Sequence, residues 1–523
     1  MGGPMFYRTL LTIFGMLLIL ILVSACQSGT ASNSTDIVMT WGGLGKDEVS
    51  GIAVDGDGNI FVGGSFSDVV DFNPGPGTDE QSCTRDASYY HESQTYMTDG
   101  FISKFDANRD HLWTVTMGSK YSNDILDVAV DSQGNIYAVG ASAGLVDYDP
   151  GAGHYILESA GGSADAFVVK YSPDGQLVWA NQWGGNMPDY ARGIALSEDG
   201  DIYIAGQCKN SVDFDHTDGI ELNDSITTPP TPYLLKLDSD RAFEWVLTWD
   251  ITQSAQNQWE FGECRDVAIG PGGDIYIAGT YSGVIDLNPG SGSDKIAAGG
   301  KYDEGIFIVS IGEDRNYRWG YAWRGRGETG MNAKGPALGV DDTGDVYITA
   351  GFYGETDLDP GEGDAVCTPV NGVDVFLTGF TSGGQFRWTR TWGGRNDDFG
   401  MALDVGAGGE IVVAGDVAIG EVDFDPSADS ELVRETQGFI NAFVSVFDSE
   451  GNLTGTAAVG TESRVRARAV VTAGRDTVYL GGVFTGLTDF DVTESEAQRE
   501  SADIDFDCYV LRLEPVPGIP SER

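Results

Sequence analysis

The sequence predicts an all-β chain in which one four-stranded antiparallel sheet is repeated around an axis. Three observations carry that prediction: a turn signature that recurs along most of the chain, four strand-like runs in each recurrence, and an opening strand of a kind the last recurrence lacks. Gly is abundant, at 74 of 523 residues, and Val, Ile, Tyr, Phe and Thr fill short runs between turn residues. A chain of this length ordinarily divides into about three domains. Repetition overrides that division, because repeat folds build one body from many small units.

The first element, residues 1–25, reads as a lipoprotein signal peptide. Arg8 precedes an apolar run from Leu10 to Val23, and Val23-Ser24-Ala25-Cys26 follows. A short apolar core ending in small residues marks a cleaved leader, and a bilayer span needs about 20 apolar residues. The tetrapeptide resembles the lipobox of bacterial lipoproteins, with Val where Leu is usual. That resemblance implies lipidation at Cys26 and, with Gln27 next, an outer-membrane destination. Residues 26–35, rich in Ser and Thr, read as a flexible tether.

Residues 36–513 hold the repeats. A clear unit runs Asp127-Val-Ala-Val-Asp-Ser-Gln-Gly-Asn-Ile-Tyr-Ala-Val-Gly140, then Val146-Asp-Tyr-Asp-Pro-Gly151, Asp165-Ala-Phe-Val-Val-Lys-Tyr171 and Leu177-Val-Trp-Ala-Asn-Gln-Trp-Gly-Gly185. Aligned on the short residue of the first run, units fall at Ala53, Ala129, Ala195, Ala268, Gly339, Asp404 and Val471, 65 to 76 residues apart. Asp/Ser-x-x-Gly-Asn/Asp between the first two runs supplies a tight hairpin turn. Strand four carries Trp and then Gly-Gly, as at Trp183 and Trp392. Asp36-Ile-Val-Met-Thr-Trp41-Gly-Gly is such a strand, and the seventh unit stops at Leu513 without one. The fold expected is therefore a single seven-bladed β-propeller of four-stranded blades, closed by the N-terminal strand beside 507–513, with 514–523 a tail. The recurrent tryptophans, Trp179, Trp183, Trp245, Trp249, Trp319, Trp323, Trp388 and Trp392, are expected to pack the core and the joints between blades.

These units resemble the SBBP-type bacterial β-propeller repeat. Ile52-Ala-Val-Asp-Gly-Asp-Gly-Asn-Ile-Phe-Val-Gly-Gly64 and Asp165-Ala-Phe-Val-Val-Lys170 carry the resemblance, which covers about residues 36 to 513 and drifts in units five to seven. It implies a propeller on an exported or surface protein and no defined activity.

Net charge is −50, which repels phosphate backbones and argues against nucleic acid as a partner. In such a blade the second-to-third and blade-to-blade connections share one face, and there they are long and varied. The commonest motif on that face is Asp-apolar-Asp/Asn: Asp71/Asn73, Asp147/Asp149, Asp213/Asp215, Asp286/Asn288, Asp357/Asp359, Asp423/Asp425 and Asp489/Asp491. Carboxylates two apart on an extended segment share a side. That suits Ca²⁺, an oxygen-bound ion, and it equally suits caps on the motif's own turn. Calcium is the one cofactor the sequence suggests.

Two long connections carry candidate contacts for a protein or polysaccharide. Thr78–Thr98 holds Cys83, Arg85, Tyr89, Tyr90, His91 and Tyr96, and Asp250–Glu263 holds Gln256, Gln258, Trp259 and Phe261. Arg192, Arg265 and Arg468 each stand three places before the aligned short residue of the innermost strand. That placement lines the mouth of the central channel, where they hold an anion or pair with nearby carboxylates. Arg324, Arg326, Arg464 and Arg466 lie on the connections between blades. With Cys26 lipidated, five cysteines remain, and Cys208–Cys264 is the pair suggested for a disulfide.

The enzyme case is thin. Four histidines, His91, His111, His154 and His216, show no short-range metal spacing, and no nucleophile elbow or P-loop occurs. The sequence reading is a monomeric, lipid-anchored, non-catalytic scaffold for an envelope or extracellular protein or polysaccharide. The alternative is a hydrolase or lyase working at the channel mouth.

Overall fold

A computed structural model describes residues 37–84, 97–215, 229–252, 260–298, 304–324, 335–361, 363–427, 432–460, 463–492, 497–502 and 505–514. The chain is all-β. Among the described residues, antiparallel pairing makes seven four-stranded units in sequence order. The first contains Glu48–Val54, Ile60–Phe66, Asp99–Phe105 and His111–Met117, and the second Asn123–Val130, Ile136–Ala143, Ala164–Tyr171 and Leu177–Trp183. The seventh takes three strands from the end of the chain, Arg464–Ala473, Thr477–Thr485 and Asp507–Leu513. Its fourth is Val38–Trp41, in register with Val38 opposite Leu511 and Trp41 opposite Cys508.

Local chemistry sets each hairpin. In the second unit Asp131 Oδ1 accepts the N–H groups of Gln133 and Asn135, and Gly134 takes φ 77°. An L side chain rarely adopts that backbone, which is why the motif spells Gly there.

No unit has a core of its own. Seven buried clusters each straddle two neighbouring units. One joins Met39, Trp41 and Tyr479 of the seventh unit to Val49, Ile60 and Phe101 of the first. Each innermost strand packs beside the next, and Arg464–Ala473 packs in turn on Glu48–Val54. Carboxylates staple three of these contacts, accepting a main-chain N–H across the gap. Asp127 holds Ile194 at 3.0 Å, Asp266 holds Leu338 at 2.8 Å and Asp404 holds Thr472 at 2.7 Å.

The Trp-Gly-Gly signature is a packing requirement at the joints. A Cβ on Gly393 would lie 2.6 Å from the Asp374 carboxyl carbon, and one on Gly394 would lie 2.6 Å from the Glu421 carbonyl oxygen. Trp249 and Trp323 reach onward. Their indole N–H groups donate to the carbonyls of Leu287 and Leu358 in the following unit, at 3.1 and 3.2 Å.

Three expectations need correction. Phe261 does not stand in a connection: it opens the innermost strand Phe261–Ile269, half-buried opposite Ser282. Arg464 and Arg466 likewise belong to the strand Arg464–Ala473. In both places the chain enters the ladder earlier than the aligned small residue suggests. Cys208 and Cys264 are buried free thiols, with no disulfide between them.

Candidate functional site

Six of the seven innermost strands carry a β-bulge near their starts. The register slips between Val49 and Gly51, Ile125 and Asp127, Ala191 and Gly193, Cys264 and Asp266, Gly400 and Ala402, and Ala467 and Ala469. The skipped residues are Ser50, Leu126, Arg192, Arg265, Met401 and Arg468, and Pro336 holds the matching place in unit five. A bulge re-aims its extra side chain away from the ladder. All seven of these residues line one cavity of about 430 Å³ bounded by the innermost strands. The three arginines singled out from sequence spacing are thus brought together. What the sequence reading missed was the bulge itself, whose signal is the constant offset of three from the aligned residue.

Carboxylates face these guanidiniums. Glu263 takes Arg192 on one oxygen at 2.9 Å and Arg265 on the other at 2.5 Å. Arg468 lies 3.3 Å from Glu48 and 3.7 Å from Asp416, and Arg466 lies 3.9 Å from Asp416. Burial presses the Arg192 pKa down against the pull of Glu263. Burial raises Asp416, with Arg468 and Arg466 opposing. Glu48 is also pushed up by burial, but Lys46 and Arg468 outweigh it and hold the group below its ordinary value. Deeper in, burial carries Asp127 to about 7 and Asp266 to about 6.

The Asp-apolar-Asp/Asn motif forms a corner. Its central residues, Phe72, Tyr148, Phe214, Leu287, Leu358, Phe424 and Phe490, are fully buried. Asp147 Oδ1 accepts the N–H groups of Asp149 and Tyr155 at 3.1 and 2.9 Å, and Asp149 Oδ1 accepts Gly151 N–H at 2.8 Å. Asp357 and Asp359 do the same with Ala365 and Gly361, and Asp423 and Asp425 with Leu432 and Ser427. Asp213 accepts Asp215 N–H at 3.1 Å. One oxygen of each leading Asp is thus engaged by main-chain donors. No group of three or more His, Cys, Asp or Glu poised for a metal occurs among the described residues.

Buried carboxylates at the joints were not anticipated. Trp-Gly-Gly-x-x-x-Asp recurs at 41–47, 183–189 and 392–398. Asp47 accepts Gly43 and Ser67 N–H, Asp189 accepts Gly185 and Lys209, and Asp398 accepts Gly394 and Ala418. Burial lifts all three to about 7. Cys26, Tyr89, Tyr90, His91, Tyr96 and Trp259 lie outside the described residues.

An uncharacterized WD repeat-containing protein of Acanthamoeba polyphaga mimivirus is 21% identical over 271 residues, which is 48% of this chain and 19% of the relative. The chain therefore spans a small part of that relative's length. Among solved structures, an ulvan lyase of polysaccharide lyase family PL25, bound to a GlcA–Rha3S saccharide, has 10% identity and a TM-score of 0.43 over 89% of this chain and 98% of its own. Sqt1 from Chaetomium thermophilum has 10% identity and a TM-score of 0.36 over 92% and 99%. Residues 41–65, from Trp41 into the second strand of unit one, match the SBBP β-propeller repeat family.

Proposed function

We propose that this chain is a seven-bladed β-propeller, closed by Val38–Trp41, that acts as a non-catalytic scaffold and takes an anionic ligand at its channel mouth. One observation supports it above the others. In a chain of net charge −50, Arg192, Arg265 and Arg468 converge on a single cavity. Two of them share one carboxylate, Glu263. A guanidinium carries five N–H donors and a carboxylate about four acceptor sites, so such a pair keeps donor capacity for a second anion. The cavity is asymmetric in chemistry although the units repeat: Ser50, Leu126, Pro336 and Met401 fill the same position elsewhere. A ring of repeats that breaks its pattern at one rim offers a single binding site rather than seven.

Export, lipidation at Cys26 and residence in the cell envelope, with a protein or polysaccharide as partner, belong to the same proposal. Titration of citrate at low salt tests the mouth. Arg192→Ala/Arg265→Ala should weaken binding about tenfold or more, a loss of about 1.4 kcal/mol or greater. Equal affinity for the double variant and the original chain would refute the site. For the anchor, Cys26→Ser should move the protein from the membrane fraction to the soluble fraction of expressing bacteria.

A further inference from the structure

We infer that the ligand is an acidic polysaccharide, and that it runs from the channel mouth outward along a groove over units five to seven. This rests on the anion-binding reading of the mouth. A second cavity, of about 740 Å³, adjoins the first and shares Arg265, Met401 and Arg468 with it. It lies where unit six departs from the repeat. There the second and third strands run on as one ribbon, Ile411–Asp423 and Val433–Phe447, of 13 and 15 residues. In unit two the corresponding strands stop at 8 residues each and a separate small hairpin follows.

Three kinds of group meet at the groove, from the ribbon, the connections of unit five and the first strand of unit seven. Phe439 is 69% exposed, with the Arg464 guanidinium 5.5 Å from its ring centroid. Arg395 and Arg466 line the same cavity. Asn371 and Asn396 donate their side-chain N–H groups to the carbonyls of Arg395 and Ile419, at 3.0 and 2.7 Å. Each amide retains its carbonyl oxygen and a second N–H, an acceptor and a donor for hydroxyls. An open ring face stacks on the C–H face of a sugar, guanidiniums take carboxylate or sulfate, and amide oxygens take hydroxyls. An acidic peptide answers the arginines but carries neither a sugar's C–H face for Phe439 nor its row of hydroxyls for the amides.

The test is calorimetric titration of the full chain at low salt with oligogalacturonate, sulfated dextran oligomer, neutral dextran oligomer, oligoglutamate and citrate. Oligogalacturonate or sulfated dextran should bind more tightly than citrate, and whichever does names the acidic group. Phe439→Ala should weaken that saccharide about tenfold and leave citrate binding and the melting temperature unchanged. Neutral dextran should not bind. The inference falls if Phe439→Ala binds the saccharide as the original does, or if oligoglutamate matches it. Citrate bound without any saccharide would overturn the groove and spare the mouth. Citrate unbound, or bound equally by Arg192→Ala/Arg265→Ala, would remove the mouth reading itself.

Discussion

Glycine and aspartate do the positional work at the smallest scale. Gly393 abuts the Asp374 carboxyl, so Gly393→Ala forces an overlap that the sheet has to absorb. Overpacking of this kind costs about 1–3 kcal/mol. Gly272 has open space around its would-be Cβ and no positive φ, so Gly272→Ala should leave stability unchanged. Urea unfolding of the two variants side by side checks the contrast. The corner aspartates bear on calcium: a melting temperature that rises with Ca²⁺ and falls with EDTA, and responds less in Asp147→Ala/Asp149→Ala, which removes one corner of seven, would assign the ion to them. Identical melts would leave the corners to their turns. At this scale the sequence was legible where a residue type answers a local demand, as at Gly134 or Asp147. Asp374 and Asp398 were not, because each joins a main-chain N–H four residues away to a group about 20 residues on, Gly393 for Asp374 and Ala418 for Asp398, and only the fold brings these together. Arg192, Arg265 and Arg468 sat between: regular spacing gave them matching places in three innermost strands, while Glu263, which Arg192 and Arg265 share, was assigned to a loop.

Strands and joints come next in size. Two levels of interaction hold each joint: buried apolar clusters that straddle it, and polar reach-overs such as Trp249 to Leu287 and Asp127 to Ile194. Trp249→Phe keeps most of the ring and removes the indole donor, so it should cost about 1 kcal/mol. Trp249→Ala empties a fully buried site and should cost about 3–5 kcal/mol. Chemical denaturation of both variants separates the hydrogen bond from the packing. The strands themselves were readable from alternation and turn residues. The small hairpins outside them, such as Leu145–Asp147 with Ile156–Glu158, were not, since runs of three residues carry no periodicity. Phe261 shows the related weakness at strand starts, where the ladder and not the pattern decides the first paired residue.

For the molecule as a whole, acidity and topology set behaviour. Asp47, Asp189, Asp374 and Asp398 are lifted to about 7 by burial, and Asp165 to about 6. Neighbouring carboxylates push the same way: Asp507 and Asp68 on Asp47, Asp165 on Asp189, Asp398 on Asp374, and Asp397 on Asp398. In the unfolded chain these groups titrate near 3.8. Between that value and about 7 the folded form holds more protons, so stability falls as pH rises through the window. Repulsion among the surface acids adds to the trend. The melting temperature should therefore be higher at pH 5 than at pH 8; the opposite order would show these carboxyls ionised in the fold. The number of repeats and the partner of Val38–Trp41 followed from counting strands, since a missing last strand and a spare first one answer each other. The groove over unit six did not follow, because a hairpin fused into a ribbon looks like any other connection in sequence. The pairing of Val38 with Leu511 also has a consequence in time. At about 5–20 residues per second of synthesis, the opening strand waits on the order of half a minute or longer for its mate to be made. Throughout that interval its backbone is an unclaimed edge, open to pairing with another molecule.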